Sequence, residues 1–345
     1  MRLIEKVWFH SHPAKWILVP LLLPLSLLFL FISSSRRIAF KFGLLPSFKL
    51  SKPVIVVGNI GVGGNGKTPV VLYLVELTRS LGFTPGVISR GYGGQAPYYP
   101  YLVNEHSTPS QAGDEPVLIY QRCQVPVAVG SGRIASARLL ISQGCDIIIS
   151  DDGLQHYRLQ RDIELIIVDG KRLFGNGLLL PAGPLREGQW RLSNSDLVIY
   201  NGVQPTTKHI LTTDNVTPSL LLNLQATHIC NLKSRERIAL TDFVTAHDKV
   251  NAIAGIGAPQ RFFDTLTAHK LQLLNQQSFV DHHKFSLSDF SQFGDDIALL
   301  MTEKDAVKCQ GFCKDNWWYL PVDAQFNDKD TQLFTDKIKK LTEEN

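Results

Sequence analysis

The sequence predicts an α/β protein with a parallel-sheet core, a smaller C-terminal α/β lobe and an N-terminal membrane-anchoring helix. Three observations carry this. From Pro53 onward, short continuous apolar runs alternate with helical stretches, as buried parallel strands joined by helices require. A second alternation of the same kind resumes near Val250, after a polar stretch. Trp16 to Ile32 reads WILVPLLLPLSLLFLFI, with no charge and one serine. A length of 345 residues suits two domains, because single cores stop growing near about 250–300 residues. The expected divisions are 1–37 for the anchor, 38–203 for the core and 204–345 for the smaller lobe.

The apolar segment is 17 residues long. As a helix it reaches about 25 Å, slightly short of a hydrocarbon core of about 30 Å. It is apolar all round, unlike an amphipathic surface helix. A cleaved signal peptide fits poorly, since Arg36 and Arg37 follow the run and no A-x-A site appears. A buried core helix kinked by Pro20 and Pro24 is the second alternative, and a membrane anchor is the favoured reading. Arg36, Arg37, Lys41, Lys49 and Lys52 follow it, against Arg2, Lys6 and Lys15 before it, so cations favour a cytoplasmic C-terminal side.

Residues 38–52 read as a connector. Strands are expected at 53–59, 86–89, 125–130, 146–150, 163–168 and 196–201, with helices at 68–81 and 134–142. Pro69 sits at a tolerated first-turn position of the first helix. Residues 204–245 are rich in Thr, Asn and Gln, with weak strands near 226–232 and 236–240. Then come a strand at 250–257, a helix at 259–270 and an extended stretch at 271–279. A strand at 297–301, a helix from Lys304 to Lys308, a strand at 317–322 and a helix near 329–343 complete the chain.

Apolar residues make up 44% and charged residues 19%, which excludes disorder as the default. The net charge of +4 and pI of about 8.7 come without basic clusters interleaved with aromatics, so no nucleic-acid partner is implied. An anionic membrane surface or a phosphorylated substrate suits that balance. Five cysteines, with no CxxC pair, fit a reduced cytosolic catalytic portion. Cys309 and Cys313 are four apart; two unrelated thiols is a better reading than a metal site.

Gly61-Val62-Gly63-Gly64-Asn65-Gly66-Lys67-Thr68 matches GxxxxGK[ST] between an apolar strand and a helix. The glycines let backbone N–H groups curl around an anion, and the helix N-terminus adds its positive end. Lys67 reaches toward β- and γ-phosphates, and the Thr68 hydroxyl suits Mg²⁺. The cofactors implied are ATP and Mg²⁺, on a P-loop NTPase-type core. Gly255-Ile256-Gly257 resembles a truncated dinucleotide fingerprint, but a tight strand-to-helix turn is the better reading.

At 147–156, IIISDDGLQH ends an apolar strand in Asp151 and Asp152. A carboxylate at a strand's C-terminal end is placed to hold Mg²⁺, as a Walker-B acid does. Asp-Asp-Gly is equally a turn signal; the upstream loop favours the metal reading.

VGNIGVGGNGKTP, SRGYGG (89–94), GDEP (113–116), DDGLQH (151–156), PAGPLRE (181–187), DHHKF (281–285) and MTEKDAVK (301–308) occur in this order. With the N-terminal anchor, they resemble the tetraacyldisaccharide 4'-kinase family, the lipid A 4'-kinases of Gram-negative bacteria, over essentially the whole chain. Thr often stands in that family where this chain has Gly61. The resemblance implies transfer of the ATP γ-phosphate to the 4'-hydroxyl of a tetraacylated glucosamine disaccharide 1-phosphate. That places the protein at the bacterial inner membrane, its catalytic portion on the cytoplasmic face, with the smaller lobe closing the site and no obligate protein partner. It implies Asp114 as catalytic base, His282 as its partner, and Asp151 and Asp152 as the Walker-B-like pair. Arg90, Arg133, Gln155 and Glu187 match positions associated with the site. From residues alone, Asp114 reads as a helix N-cap before Pro116 and His282 as a loop histidine.

Two other functions share some of these features. A membrane-associated P-loop ATPase of transport or assembly type would share loop and anchor, but no transporter-type signature is present. A P-loop kinase for a soluble metabolite would have no use for the anchor.

Overall fold

The computed structural model describes residues 3–203 and 217–343. Residues 204–216, part of the Thr- and Asn-rich stretch, lie outside the described residues, as does Arg2. Helix α1 (Leu3–Phe9) precedes the long α2 (Lys15–Lys41). The first α/β run is then β1 (Val54–Gly58), α3 (Lys67–Ser80), β2 (Pro85–Ser89), β3 (Tyr101–Leu102), α4 (Pro109–Ala112), α5 (Asp114–Cys123), β4 (Val127–Val129), α6 (Arg133–Ser142), β5 (Ile147–Asp151), β6 (Ile163–Asp169) and β7 (Leu197–Asn201). After it come β8 (Ser219–Gln225), β9 (His228–Asn231), β10 (Arg237–Ala239), α7 (Leu240–Ala246), β11 (Lys249–Ala254), α8 (Pro259–Ala268), β12 (Gln272–Ser278), β13 (Leu299–Thr302), α9 (Glu303–Cys309), β14 (Trp317–Leu320), β15 (Asp323–Gln325) and α10 (Asp328–Glu343).

The larger sheet runs β15-β8-β7-β6-β1-β5-β2-β4-β3, parallel except for its two edge strands. Residues Val54–Val57 are at most 1% exposed, because helices cover both faces; hence the uninterrupted apolar runs. In register, Val57 pairs with Asp151 on one side and Leu165 on the other. The acidic end of β5 therefore lies beside the strand that feeds the phosphate loop.

The smaller sheet runs β10-β9-β14-β13-β11-β12. The division expected at 203/204 does not follow the sheets. Strands β8 and β15 pair with each other, and β8 joins β7 in the larger sheet. Helix α10 packs there too, with Tyr73 of α3 5.7 Å from the Phe334 ring and Phe334 and Ile338 in the larger core. The chain thus leaves the larger sheet after β8 and returns at β15.

Helix α2 is the one helix among the described residues long and apolar enough to cross a membrane, with mean hydropathy 2.4 and 6% of its apolar window buried. That exposure excludes the buried core helix. Ser26 is its buried residue. The Ser26 hydroxyl donates to Leu179 O at 3.0 Å and accepts from Ala182 N at 2.9 Å. Trp8 Nε1 donates to Pro181 O at 3.1 Å, and the Arg37 guanidinium lies 3.7 Å from the Trp190 ring centroid. The helix is docked along the core and turns its other faces outward.

Candidate active site

Residues 61–68 leave β1 and enter α3 with Gly66 as N-cap at φ 92° and Gly63 at φ 111°, a region that favours glycine. A Cβ on Gly66 would stand 2.5 Å from Asn201 Nδ2, whose N–H donates to Asn65 O at 3.0 Å. Asn201 at the end of β7 thus braces the loop. From the other lobe, a Cβ on Gly257 would stand 2.9 Å from Gly64 N. The Gly-Ile-Gly turn is a tight turn, as expected, and its last glycine lets the smaller lobe touch the phosphate loop.

The two aspartates at the end of β5 differ in surroundings. Asp151 is 1% exposed; Ser89 Oγ donates to its Oδ2 at 3.4 Å, while its Oδ1 is buried without a hydrogen-bond partner. Burial raises its pKa to about 7, with the Glu115 charge adding to the rise and Lys67 opposing it. Asp152 takes the left-handed conformation at φ 49° and faces Lys67 Nζ at 3.7 Å and Arg186 Nη1 at 3.3 Å. Burial alone would raise its pKa; the Lys67 and Arg186 charges bring it below the ordinary value. Arg133 is buried behind this turn, where its guanidinium donates to Gly130 O at 3.0 Å and Asp151 O at 3.2 Å. It holds backbone, and does not line the cavity.

Gln155 Nε2 donates to Glu187 Oε1 at 2.8 Å and to Asn59 O at 3.1 Å. Glu187 also accepts from Tyr157 and pairs with Arg191 at 3.2 Å. Arg90 is exposed at the cavity wall.

Asp114 opens α5, and Gly113 takes the N-cap position expected for it. Its carboxylate instead meets His282 Nδ1 at 3.1 and 3.0 Å, across 168 residues and between the lobes. The fit depends on glycines of the 89–94 motif: a Cβ on Gly94 would stand 2.6 Å from Gly113 N, and one on Gly91 2.8 Å from Ala112 O. Burial alone would raise the Asp114 pKa, but the His282 hydrogen bond and the Lys304, His282 and Lys308 charges bring it below 3.8. The same hydrogen bond raises His282 above 6.5, against burial and Lys304.

Linkage then gives a sign. The raised His282 stabilises the fold below pH 6.5 and loses that effect as pH climbs through its folded value; the lowered Asp114 stabilises above pH 3.8 and loses it as pH falls. Urea unfolding across pH should therefore show His282→Ala most destabilising between pH 3.8 and 6.5. A deficit that grows above that window would contradict the pairing.

Sequence reasoning missed the neighbours of this pair. Lys304 Nζ lies 3.0 Å from Glu115 Oε1, 3.4 Å from Asp281 Oδ1 and 3.4 Å from His282 Nε2. Lys308 pairs with Asp305 at 2.7 Å, and Asp305 Oδ2 accepts from Gly255 N at 2.9 Å. Lys304 and Lys308 both lie in the 301–308 motif, whose Thr302 caps α9; that helix carries them toward Asp114.

Many of these groups line one cavity of about 1540 Å³; Asp114, Asp151, Arg133 and Lys308 are not in its wall. Its walls include residues 62–68, Asp152, Gln155, Glu187 and His282, and it extends to Phe29, Leu30 and Ile32 of α2. A polar phosphate-loop end thus continues into an apolar end at the exposed helix.

A family profile described as Tetraacyldisaccharide-1-P 4'-kinase matches residues 18–342. The Tetraacyldisaccharide 4'-kinase of Colwellia psychrerythraea is 71% identical over 339 residues, covering 98% of each chain. Its namesake from Vibrio cholerae is 49% identical over 341 residues, 99% of this chain and 97% of that one. The crystal structure of LpxK from Aquifex aeolicus in complex with ATP shares 28% identity and superposes with a TM-score of 0.77, covering 93% of this chain and 99% of that one. Phosphate loop, acidic strand end and inter-lobe pair all fall within the matched span, and the chain belongs to the tetraacyldisaccharide-1-P 4'-kinase family.

Proposed function

We propose that this protein transfers the γ-phosphate of ATP to the 4'-hydroxyl of a tetraacyldisaccharide 1-phosphate in lipid A biosynthesis. The observation that carries the reading is the single cavity that joins the phosphate loop to the apolar helix α2. A lipid with a sugar headgroup needs both ends; a soluble metabolite does not need the second.

Gly61 to Thr68 bind the ATP phosphates, with Lys67 on the β- and γ-phosphates. Thr68, Asp151 and Asp152 would hold Mg²⁺, which neutralises developing phosphate charge when bound. The unpartnered Asp151 Oδ1 fits that role. Mg²⁺ binds through one or two carboxylates and phosphate oxygens, so these residues would hold it together with the nucleotide.

Asp114 and His282 take the acceptor proton as a pair. The lowered Asp114 pKa keeps its carboxylate ionised, and His282 stands between it and the cavity. Arg90, Arg133, Gln155 and Glu187 shape the site: Arg133 through backbone, Gln155 and Glu187 through the hydrogen bond they share. If the protein were instead an ATPase, ATP consumption would not require an acceptor. The expected result is consumption that rises only when the lipid is added.

The protein sits on the cytoplasmic face of the inner membrane. Core contacts occur before α2 at Trp8, midway at Ser26 and near its end at Arg37. A helix held against the core at its middle and near its end dips into the bilayer beside that core and does not cross it. A thiol placed by His12→Cys should react with an impermeant reagent from the cytoplasmic side alone; periplasmic labelling would mean a spanning helix.

A further inference from the structure

We propose that Arg172 is a phosphate-contacting residue at the ATP end of the cavity and that Phe9, on the membrane-side helix α1, sets its guanidinium in place. This rests on the kinase reading above and adds a residue to it.

The backbone of Arg172 is fixed at the end of β6. Its N–H donates to Asp169 Oδ1 at 3.0 Å, an oxygen that also accepts from Lys171 N at 2.9 Å and from Arg261 Nη2 at 2.6 Å. Strand β6 lies directly beside β1, so this turn stands next to the phosphate loop. Arg172 Nη1 lies 3.8 Å from the place a Cβ on Gly63 would occupy. The bare glycine leaves the guanidinium room against the loop.

The guanidinium lines the cavity and is half-buried. No carboxylate among the described residues pairs with it, whereas Arg122, Arg161, Arg186, Arg191 and Arg261 each have one. A positioned guanidinium facing a phosphate loop without an anion has the fork geometry and charge for a phosphate oxygen.

What holds it is aromatic. The Phe9 ring centroid is 5.3 Å from the guanidinium carbon, within cation–π range. Helix α1 is in turn pressed on the segment after Arg172. Trp8 Nε1 donates to Pro181 O, and a Cβ on Gly175, at φ 56°, would stand 2.5 Å from Trp8 O. Since α1 runs into the apolar α2, the seat of the membrane helices reaches the phosphate loop through one ring and one guanidinium.

The test uses the full chain in mixed micelles with γ-labelled ATP and tetraacyldisaccharide 1-phosphate, and reads turnover per folded molecule. A wild type that transfers no label would sink the kinase reading itself, and the variants are read only against an active wild type. Arg172→Ala should lower kcat by about 10²–10³, as loss of one electrostatic contact to a developing charge does, with the lipid KM little changed. Arg172→Lys should recover part of the loss. Phe9→Leu keeps apolar area but loses the ring face and should lower kcat about tenfold, while Phe9→Tyr stays near wild type. Arg172→Ala combined with Phe9→Leu should be no worse than Arg172→Ala alone. The proposal is overturned by an Arg172→Ala kcat within about threefold of wild type, by a change confined to the lipid KM, by Phe9→Leu matching Phe9→Tyr, or by losses that multiply.

Discussion

Asp114→Ala, His282→Ala and the double variant are expected to share one level of turnover per folded molecule, about 10²–10⁴ below wild type, the usual worth of general base catalysis. Nδ1 of His282 meets both carboxylate oxygens of Asp114, so removing either partner dismantles the same unit. Groups that work as a unit do not contribute additively. ATP affinity should be little changed, because neither residue belongs to the phosphate loop. Loss of a helix cap does not enter, since Gly113 and not Asp114 caps α5. Rates for both singles and the double, each corrected for folded fraction, check this. Full activity in Asp114→Ala, or strictly multiplicative losses, would break the pair apart while leaving the kinase assignment standing.

Lys67→Ala should lower turnover at saturating ATP by about 10²–10³, the worth of one preorganised contact to transferring charge. The lysine is 12% exposed at its side chain and lies 3.7 Å from Asp152, so its ammonium is already aimed between the loop and the acidic strand end. Its removal should also raise the Asp152 pKa, since Lys67 is the first charge holding it down. The activity profile of the variant should therefore lose its acid side at a higher pH than the wild type. Steady-state rates across pH test both parts; a variant with near wild-type turnover would remove Lys67 from the phosphate site.

Much of the fold could be read from the chain because its strands are buried on both faces. β1, β5, β6 and β7 are mostly apolar and buried throughout, and each appears within one or two residues of its expected span. The elements missed were those with no such signature. β3 has two residues and β15 three, and β8 alternates exposure along SLLLNLQ. Missing β8 and β15 is what placed the lobe division at 203/204. The start of α5 was legible from Asp114 as a helix N-cap before Pro116; the helix begins one residue earlier than that, with Gly113 as its cap and Pro116 in its first turn, where no N–H is needed.

The phosphate loop was legible because its spacing is local. The Asp114–His282 pair was not, since nothing local links residues 168 positions apart; only resemblance to a family suggested it. Lys304, Lys308 and Asn201 went unread for the same reason. Each acts on a group from another element, and an isolated lysine on a helix or asparagine at a strand end carries no signal of that. Arg186 adjoins Glu187 in a motif that was noticed, yet its contact with Asp152 depends on the turn at Asp152.

The most direct measurement is the fate of the γ-phosphate. The full-length protein is incubated with γ-labelled ATP, Mg²⁺ and tetraacyldisaccharide 1-phosphate in mixed micelles, and the lipid product is isolated and its phosphate positions assigned. Label is expected in a lipid that carries a second phosphate on the 4'-oxygen. Label recovered only as inorganic phosphate, with the lipid unchanged, would contradict it.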